Sequence, residues 1–389
     1  MSKLRVNRIE NTSSTDGGID IDSSGHVQID GVQLPNAGAS SHRNLVINGA
    51  MTISQRSTSV TGISNSDYRT CDRYRIGIWS LGTWSISQDT DAPSGFSHSL
   101  KLMCSVADSS PSTDDFLYIK YHAEAQDLQH LNYGTSDAKE LTLSFWVKSN
   151  KTGNASVRIN APDGTRDFVK AYNIASANTW EYKTITIPAD TAGTINNDNG
   201  VGLSIGWWLN SGPDLRSATP SAGWAATNLA AVNNSNLGVG GAVDDYFQLT
   251  GVQLELGSKA TSFEHHSYSD ELRRCQRYYQ IVAKATSITN QASLGTFTYW
   301  GANTLYGAIR FPIEMRAAPS FEQNTGTAYY ISYSAGASQS GSSLSMFTNK
   351  STRTIEFFIT LTSNGVTGRS SIFRTNNANA HVALTSELL

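Results

Sequence analysis

The chain has 389 residues, enough for two or three domains, with 16% charged residues and a net charge of −3. It has no basic block, so sequence-independent nucleic-acid binding, which needs clustered cations, is not expected. No stretch reaches transmembrane length, and the opening MSKLRVNRIENTSS lacks the form of a signal peptide, so membrane insertion is not expected either.

Residues 1–40 offer little apolar surface. Ile19 and Ile21, then Val27 and Ile29, form two short alternating runs around Asp22-Ser23-Ser24-Gly25. Such runs cannot bury a core within one chain, whereas three copies wound together could, so this reads as a trimerising β segment. A disordered tail is the alternative. Pro35 to Ser41, PNAGASS, is a linker by composition.

Residues 41–266 read as one large β domain. Leu100, Leu102, Cys104 and Val106 alternate on one face of a strand, and Leu141, Leu143, Phe145 and Val147 on another. So do Val201, Leu203, Ile205, Trp207 and Leu209. Ala161-Pro162-Asp163-Gly164 is a hairpin turn. Short strands without βαβ alternation argue for a sandwich or jelly roll. The Gly/Asn/Ala-rich stretch from Asn210 to Val243, with Trp224, reads as an extended surface loop. Cys71, Cys104 and Cys275 share no framework or zinc spacing and are expected as buried free thiols.

By strand parity Trp146 and Trp208 point away from the apolar faces of their own strands. If those strands are neighbours, the two indoles form a platform that can stack on a saccharide, with Lys148, Asn210 and Ser144 on the same face for the hydroxyls. A subunit contact is the competing use of such rings.

The chain is organised around Phe247 to Gln280, FQLTGVQLELGSKATSFEHHSYSDELRRCQRYYQ. Apolar parity slips by one residue at Thr250–Gly251, which predicts a β-bulge. Ser269 is expected to cap a short helix carrying Asp270 and Glu271 in its first turn, with Leu272, Cys275 and Tyr279 as its apolar stripe. Glu264, His265 and His266 invite a metal, but adjacent side chains of an extended segment point apart, so that reading is set aside.

This stretch resembles the junction found in many tail fibres of tailed bacteriophages and related prophage proteins. There it closes a carbohydrate-binding-module-like jelly roll and leads into a C-terminal β domain. NLVINGAMTISQR, from Asn44 to Arg56, resembles the opening strand of that jelly roll. RFPIEMRAAPS, from Arg310 to Ser320, and SELL, from Ser386 to Leu389, resemble the C-terminal domain. The resemblance implies an all-β protein: an attachment and trimerisation segment over 1–40, a jelly-roll β-sandwich over 41–266, a linking helix over 267–280 and a distal C-terminal β-sandwich over 281–389. Jelly rolls of that type often hold a structural calcium. Asp244-Asp245 and the run Asn196 to Asn199 carry suitable oxygens without the spacing of a defined calcium loop, and solvated turns are the favoured reading; no other cofactor is expected.

In the C-terminal part Ile309, Phe311 and Ile313 alternate, as do Ile355, Phe357, Ile359 and Leu361. Ser334 to Ser343, SAGASQSGSS, reads as a loop that cannot pack. No nucleophile elbow, phosphate loop, zinc motif, dinucleotide fingerprint or long solenoid repeat is present. The resemblance therefore implies a non-enzymatic receptor-binding fibre of the virion, made in the host cytoplasm. It would be a homotrimer, joined to tail or adaptor proteins through residues 1–40 and adhering to bacterial-surface glycan. A structural virion part without a receptor and a capsular depolymerase are the alternatives.

Overall fold

The computed structural model describes residues 8–10, 18–21, 27–29, 32–33, 42–216, 223–226, 236–334, 336–362 and 365–389. Ahead of residue 42, β1 (Arg8–Glu10), β2 (Gly18–Ile21), β3 (Val27–Ile29) and β4 (Val32–Gln33) pair in order as an antiparallel sheet. The two alternating runs meet in register, Ile19 opposite Ile29 and Ile21 opposite Val27.

The next thirteen strands form the first unit. They are β5 (Ser59–Ile63), β6 (Asp67–Tyr68), β7 (Tyr74–Trp79), β8 (Thr83–Asp89), β9 (Ser99–Val106), β10 (Phe116–Glu124), β11 (Leu141–Ser149), β12 (Gly153–Ala161), β13 (Arg166–Ile174), β14 (Glu181–Ile187), β15 (Val201–Ser211), β16 (Ala225–Ala226) and β17 (Tyr246–Leu256). A seven-stranded sheet runs β16-β13-β12-β15-β10-β7-β6 and a six-stranded sheet β14-β11-β17-β9-β8-β5. The apolar rows read from the sequence face each other between them. Phe145 of β11 meets Trp207 of β15 edge-on at 5.8 Å inside one shared core, which makes the unit a two-sheet sandwich. The three thiols are buried and unpaired.

The bulge lies where the parity slips. Ser144 opposes Gln253 but Trp146 opposes Thr250, so Gly251 and Val252 together face Phe145. Gly251 takes φ +61, a left-handed value that costs glycine nothing. The Asn210–Val243 stretch is less uniform than a loop. β15 runs on to Ser211, a 3-10 turn covers Pro213–Arg216, and Trp224 is half-buried with its indole N–H donating to the Pro188 carbonyl at 2.7 Å. Residues 217–222 and 227–235 lie outside the described residues.

The linking helix is shorter than expected and capped by a different serine. α1 spans Tyr268–Gln276, and Ser267, not Ser269, is extended and accepts the Asp270 N–H at 3.2 Å. Both serines are good caps, and Asp270 three residues after Ser267 completes a reciprocal pair, with Ser267 Oγ donating to its carboxylate at 2.6 Å. Tyr279 therefore opens a strand instead of closing the helical stripe, while Cys275 is buried in the core of the first unit.

The second unit contains β18 (Tyr279–Lys284), β19 (Ser293–Tyr299), β20 (Thr304–Arg310), β21 (Ser320–Gln323), β22 (Tyr330–Ser334), β23 (Ala337–Lys350), β24 (Thr354–Leu361), β25 (Ser370–Thr375) and β26 (His381–Thr385). It is all-β, and six of its strands, β19-β20-β24-β23-β22-β25, close into a barrel. The remaining three form the sheet β18-β26-β21, with the last strand in the middle. Phe297 packs on Phe357 at 5.0 Å and on Phe373 at 5.5 Å in the core of this unit. The stretch Ser334 to Ser343 is not a loop. β22 and β23 form a hairpin that turns at Gly336, φ +81, and β23 is 14 residues long. Small polar residues carry no apolar period, so this strand is defined by its partners rather than by its own sequence.

The four segments that carry the family resemblance meet at the joint between the units. Asn44 Nδ2 donates to the Val252 carbonyl at 3.0 Å, and the Asn48 N–H donates to Glu271. The Arg316 N–H reaches the Arg277 carbonyl at 2.8 Å, and Arg316 Nε reaches the Ser386 carbonyl at 2.7 Å. Leu388 is inserted in the core of the first unit, and the Tyr68 hydroxyl donates to its carbonyl.

Candidate functional site

The expected Trp146–Trp208 platform does not form. Trp146 and Lys148 stand on β11 of the six-stranded sheet, Trp208 and Asn210 on β15 of the seven-stranded one. Both indoles point away from the core as parity required, and for that reason they lie on opposite outer surfaces of the sandwich. Trp146 is half-buried beside Tyr182, ring centroids 5.2 Å apart. Lys148 pairs with Asp91 at 2.7 Å. Ser144 is buried. Asn210 lies beyond a register slip from Trp208 and is buried, donating to the Val239 carbonyl and accepting from Asn236 Nδ2. It is a structural residue.

Asp245 does not offer free oxygens to a calcium ion, and Asp244 beside it is exposed. Asp245 Oδ2 accepts from the Gly240 and Ala242 N–H groups and lies 3.3 Å from Lys151 Nζ, while Oδ1 accepts from Asn150. A carboxylate so occupied by donors of its own chain clamps a loop. Asp198 likewise caps its own turn through the Gly200 N–H. Among the described residues no cluster of three or more His, Cys, Asp or Glu side chains could hold a metal ion.

Of the expected site residues, Trp208 alone belongs to a surface with the makings of a binding site, the outer face of the seven-stranded sheet. Strand register lays that face out in rows. One row is Gly77 (β7), Tyr118 (β10), Trp208 (β15) and Ser156 (β12). A Cβ at Gly77 would sit 2.1 Å from the Tyr118 ring, so the missing side chain is what lets that ring lie down on the sheet. Phe116 stacks on Tyr118 at 5.1 Å, Tyr118 meets Trp208 at 4.9 Å, and Leu215 packs on this cluster from the 3-10 turn. Tyr118 and Trp208 form a nearly closed floor. Trp79, opposite Phe116 on β7, extends it into solvent at 60% exposure.

The adjacent row is cationic: Arg75 (β7), Lys120 (β10), Gly206 (β15) and Arg158 (β12). Arg158 makes a forked ion pair with Asp167, 3.1 and 2.7 Å, and Asn160 shares that carboxylate. Lys120 lies over the Tyr118 ring at 4.6 Å. Among the described residues no carboxylate pairs with Lys120 or Arg75. Burial, helped by the charges of Arg158 and Arg75, pushes the Lys120 ammonium down to about 8. In the next row His122 Nδ1 shares a hydrogen bond with Ser204 Oγ at 2.7 Å. Burial first, then Lys120, Arg73 and Arg75, hold His122 well below its usual range, so it is neutral at pH 7. Among the described residues, Trp208 Nε1, Arg75 Nε and His122 Nε2 on this face have no hydrogen-bond partner.

A cleft of about 440 Å3 between the two units has the opposite character. Most of its charges are paired, Arg56 with Glu322 at 3.4 Å and Arg69 with Asp67 at 3.6 Å, while Lys284 donates to the Arg56 carbonyl at 3.4 Å. The residues of the sheet face were half legible in FLYIKYHAE, whose outward positions Phe116, Tyr118, Lys120 and His122 follow from parity. Their neighbours Arg75, Arg158 and Trp208 come from strands distant in sequence, and no local signal brings them together.

No family model matches the chain, and no curated protein does. Among solved structures it is similar to the enzymatically active domain of bacteriophage CBA120 tailspike protein 4, at 13% identity and TM-score 0.29, over 55% of this chain and 22% of that one. The match thus spans about a fifth of that domain. It is also similar to a structure described as "CBM4 structure and function", at 13% identity and TM-score 0.28, over 54% of this chain and 98% of that one. The family 11 carbohydrate-binding module of Clostridium thermocellum Lic26A-Cel5E matches at 15% identity and TM-score 0.25, over 54% and 99%. Likenesses at this level identify neither a fold family nor a ligand.

Proposed function

We propose that this protein is a non-enzymatic adhesin of a phage tail fibre, which binds bacterial-surface saccharide through the outer face of the seven-stranded sheet. The observation that carries this reading is the pair of exposed Trp79 and partly exposed Phe116, opposite each other on β7 and β10, with Phe116 resting on the buried rings of Tyr118 and Trp208 and a row of cations beside them. Flat rings take the C–H face of a sugar, and converging polar groups take its hydroxyls. The sequence resemblance to tail-fibre junctions supplies the setting. Trimerisation and virion attachment through residues 1–40 would repeat the face three times, so weak contacts gain from effective concentration.

The test is binding of the labelled full chain to a panel of bacterial strains, with released sugar assayed in the supernatant. Saturable binding to a strain without sugar release, lost on Trp79→Ala with Phe116→Ala, is the expected result. Binding with sugar release would make the protein a depolymerase. A folded chain that binds no strain, with the host included, would overturn the adhesin reading in favour of a structural virion part.

A further inference from the structure

We propose, resting on the reading above, that the saccharide taken by this face is acidic, its anionic group held by Lys120 and Arg75, which stand opposite each other on β10 and β7. Like charges directly opposite on neighbouring strands are destabilising, and adjacent strands stand about 4.8 Å apart. Here Arg75 is the Cα partner of Lys120, and Gly206 alone separates Lys120 from Arg158 along the same row. The neighbouring carboxylate Asp167 is already held by Arg158 and Asn160. The chain as a whole is weakly acidic, so this row is a local excess of positive charge on a sheet surface.

The geometry gives that excess a use. Gly206 is buried and the Trp208 indole lies over it, Nε1 3.2 Å from where a Cβ would stand, which closes that end of the row and leaves Lys120 and Arg75 as its half-buried cations. Among the described residues Arg75 Nε has no hydrogen-bond partner and no carboxylate pairs with Lys120. A carboxylate or phosphate placed between Lys120 and Arg75 meets two cations, while the sugar ring carrying it extends along the same two strands toward Phe116 and Trp79. Charge-assisted hydrogen bonds of this kind are about twice as strong as neutral ones. A neutral sugar would leave the ammonium of Lys120 uncompensated.

The experiment uses the full chain and the surface polysaccharide of a strain it binds, in three forms: native, carboxyl-reduced so that uronic acids become neutral sugars, and dephosphorylated. We expect the native polymer to bind and one treated form to lose at least about tenfold in affinity, as two charge-assisted contacts require. Loss on carboxyl reduction assigns a uronate, and loss on dephosphorylation a phosphate. Lys120→Met should reproduce the loss on the native polymer, and Lys120→Arg should restore binding. If both treated forms bind like the native one and Lys120→Met is silent, the acidic assignment is wrong while the adhesin reading stands. If the native polymer does not bind, that reading fails and takes this one with it.

Discussion

The guanidinium of Arg73, buried in the first unit, donates to the carboxylate of Glu387, 314 residues further along the chain. The same guanidinium donates to the His122 carbonyl at 2.7 Å and lies 3.3 Å over the Tyr278 ring. Arg56, 3.3 Å from the other oxygen of Glu387, stacks on Tyr279 at 3.7 Å. Two arginines of the first unit and two tyrosines of the joint thus converge on one carboxylate from the chain's last turn. Removing one partner of a buried pair leaves a bare buried charge, a loss of about 3–5 kcal/mol. Glu387→Gln should lower the unfolding free energy of the first unit, from urea titration followed by tryptophan fluorescence, by an amount of that size, with a lower midpoint. An unchanged midpoint would show that the pair does not fasten the units together.

Acid should loosen the same joint. Burial raises the Glu124 carboxyl, but the forked hydrogen bonds from Arg277, 2.7 and 2.8 Å, outweigh it and hold the group below the ordinary carboxylate range. The folded state therefore binds its proton at lower pH than the unfolded chain. Its contribution is complete above the unfolded value of about 4.3 and is lost as pH falls through the folded one. Stability measured from pH 7 to 3 should fall along this limb, and Glu124→Gln should flatten it.

Gly251 tests the bulge. Its φ of +61 strains any side chain, and a Cβ there would lie 2.8 Å from the Phe96 ring and 2.9 Å from Trp146. Gly251→Ala should cost about 1–2 kcal/mol. Its near-ultraviolet circular dichroism should change with the displaced indole. A variant with the native melting temperature and spectrum would mean that the slip is absorbed elsewhere.

Binding and stability should respond to alkali in opposite directions. With Lys120 at about 8, deprotonation removes the charge that an acidic sugar needs, so affinity should fall as pH rises through that value. The unfolded lysine keeps its proton to about 10.4. Between the two values the unfolded chain binds more protons, so unliganded stability should rise with pH. The charged groups facing Lys120 are Arg75, Arg158 and Asp167. Lys120→Arg should abolish the alkaline loss of affinity, and a loss that persists in that variant would place the titrating group elsewhere.

What could be read in the sequence divides along physical lines. Strand existence and face came through wherever apolar alternation was clean, as in Leu141 to Val147, Val201 to Leu209 and the slip at Gly251. Pairing did not, because parity says which way Trp146 and Trp208 point and nothing about which sheet each strand joins. Ser338 and Ser340 lie in a long strand that their own side chains do not announce. The resemblance marks the joint, where the side chains of Asn44, Asn48, Arg316 and Ser386 bind backbone carbonyls distant in sequence or across the turn. It is silent about the sheet face, whose Arg75, Lys120 and Arg158 lie outside the resembling segments.

The middle position of β26 governs the order in which the second unit can be completed. β18 and β21 both pair with it and not with each other. Ribosomes add about 5–20 residues per second, so β18 waits roughly 5–20 s for residues 381–385 to be made. During that interval two strand edges are open to other nascent chains on the same polysome. A host chaperone that shields edges, or a slow stretch of codons ahead of β21, would shorten the exposure, and yield during expression should depend on it more than on the stability of the finished protein.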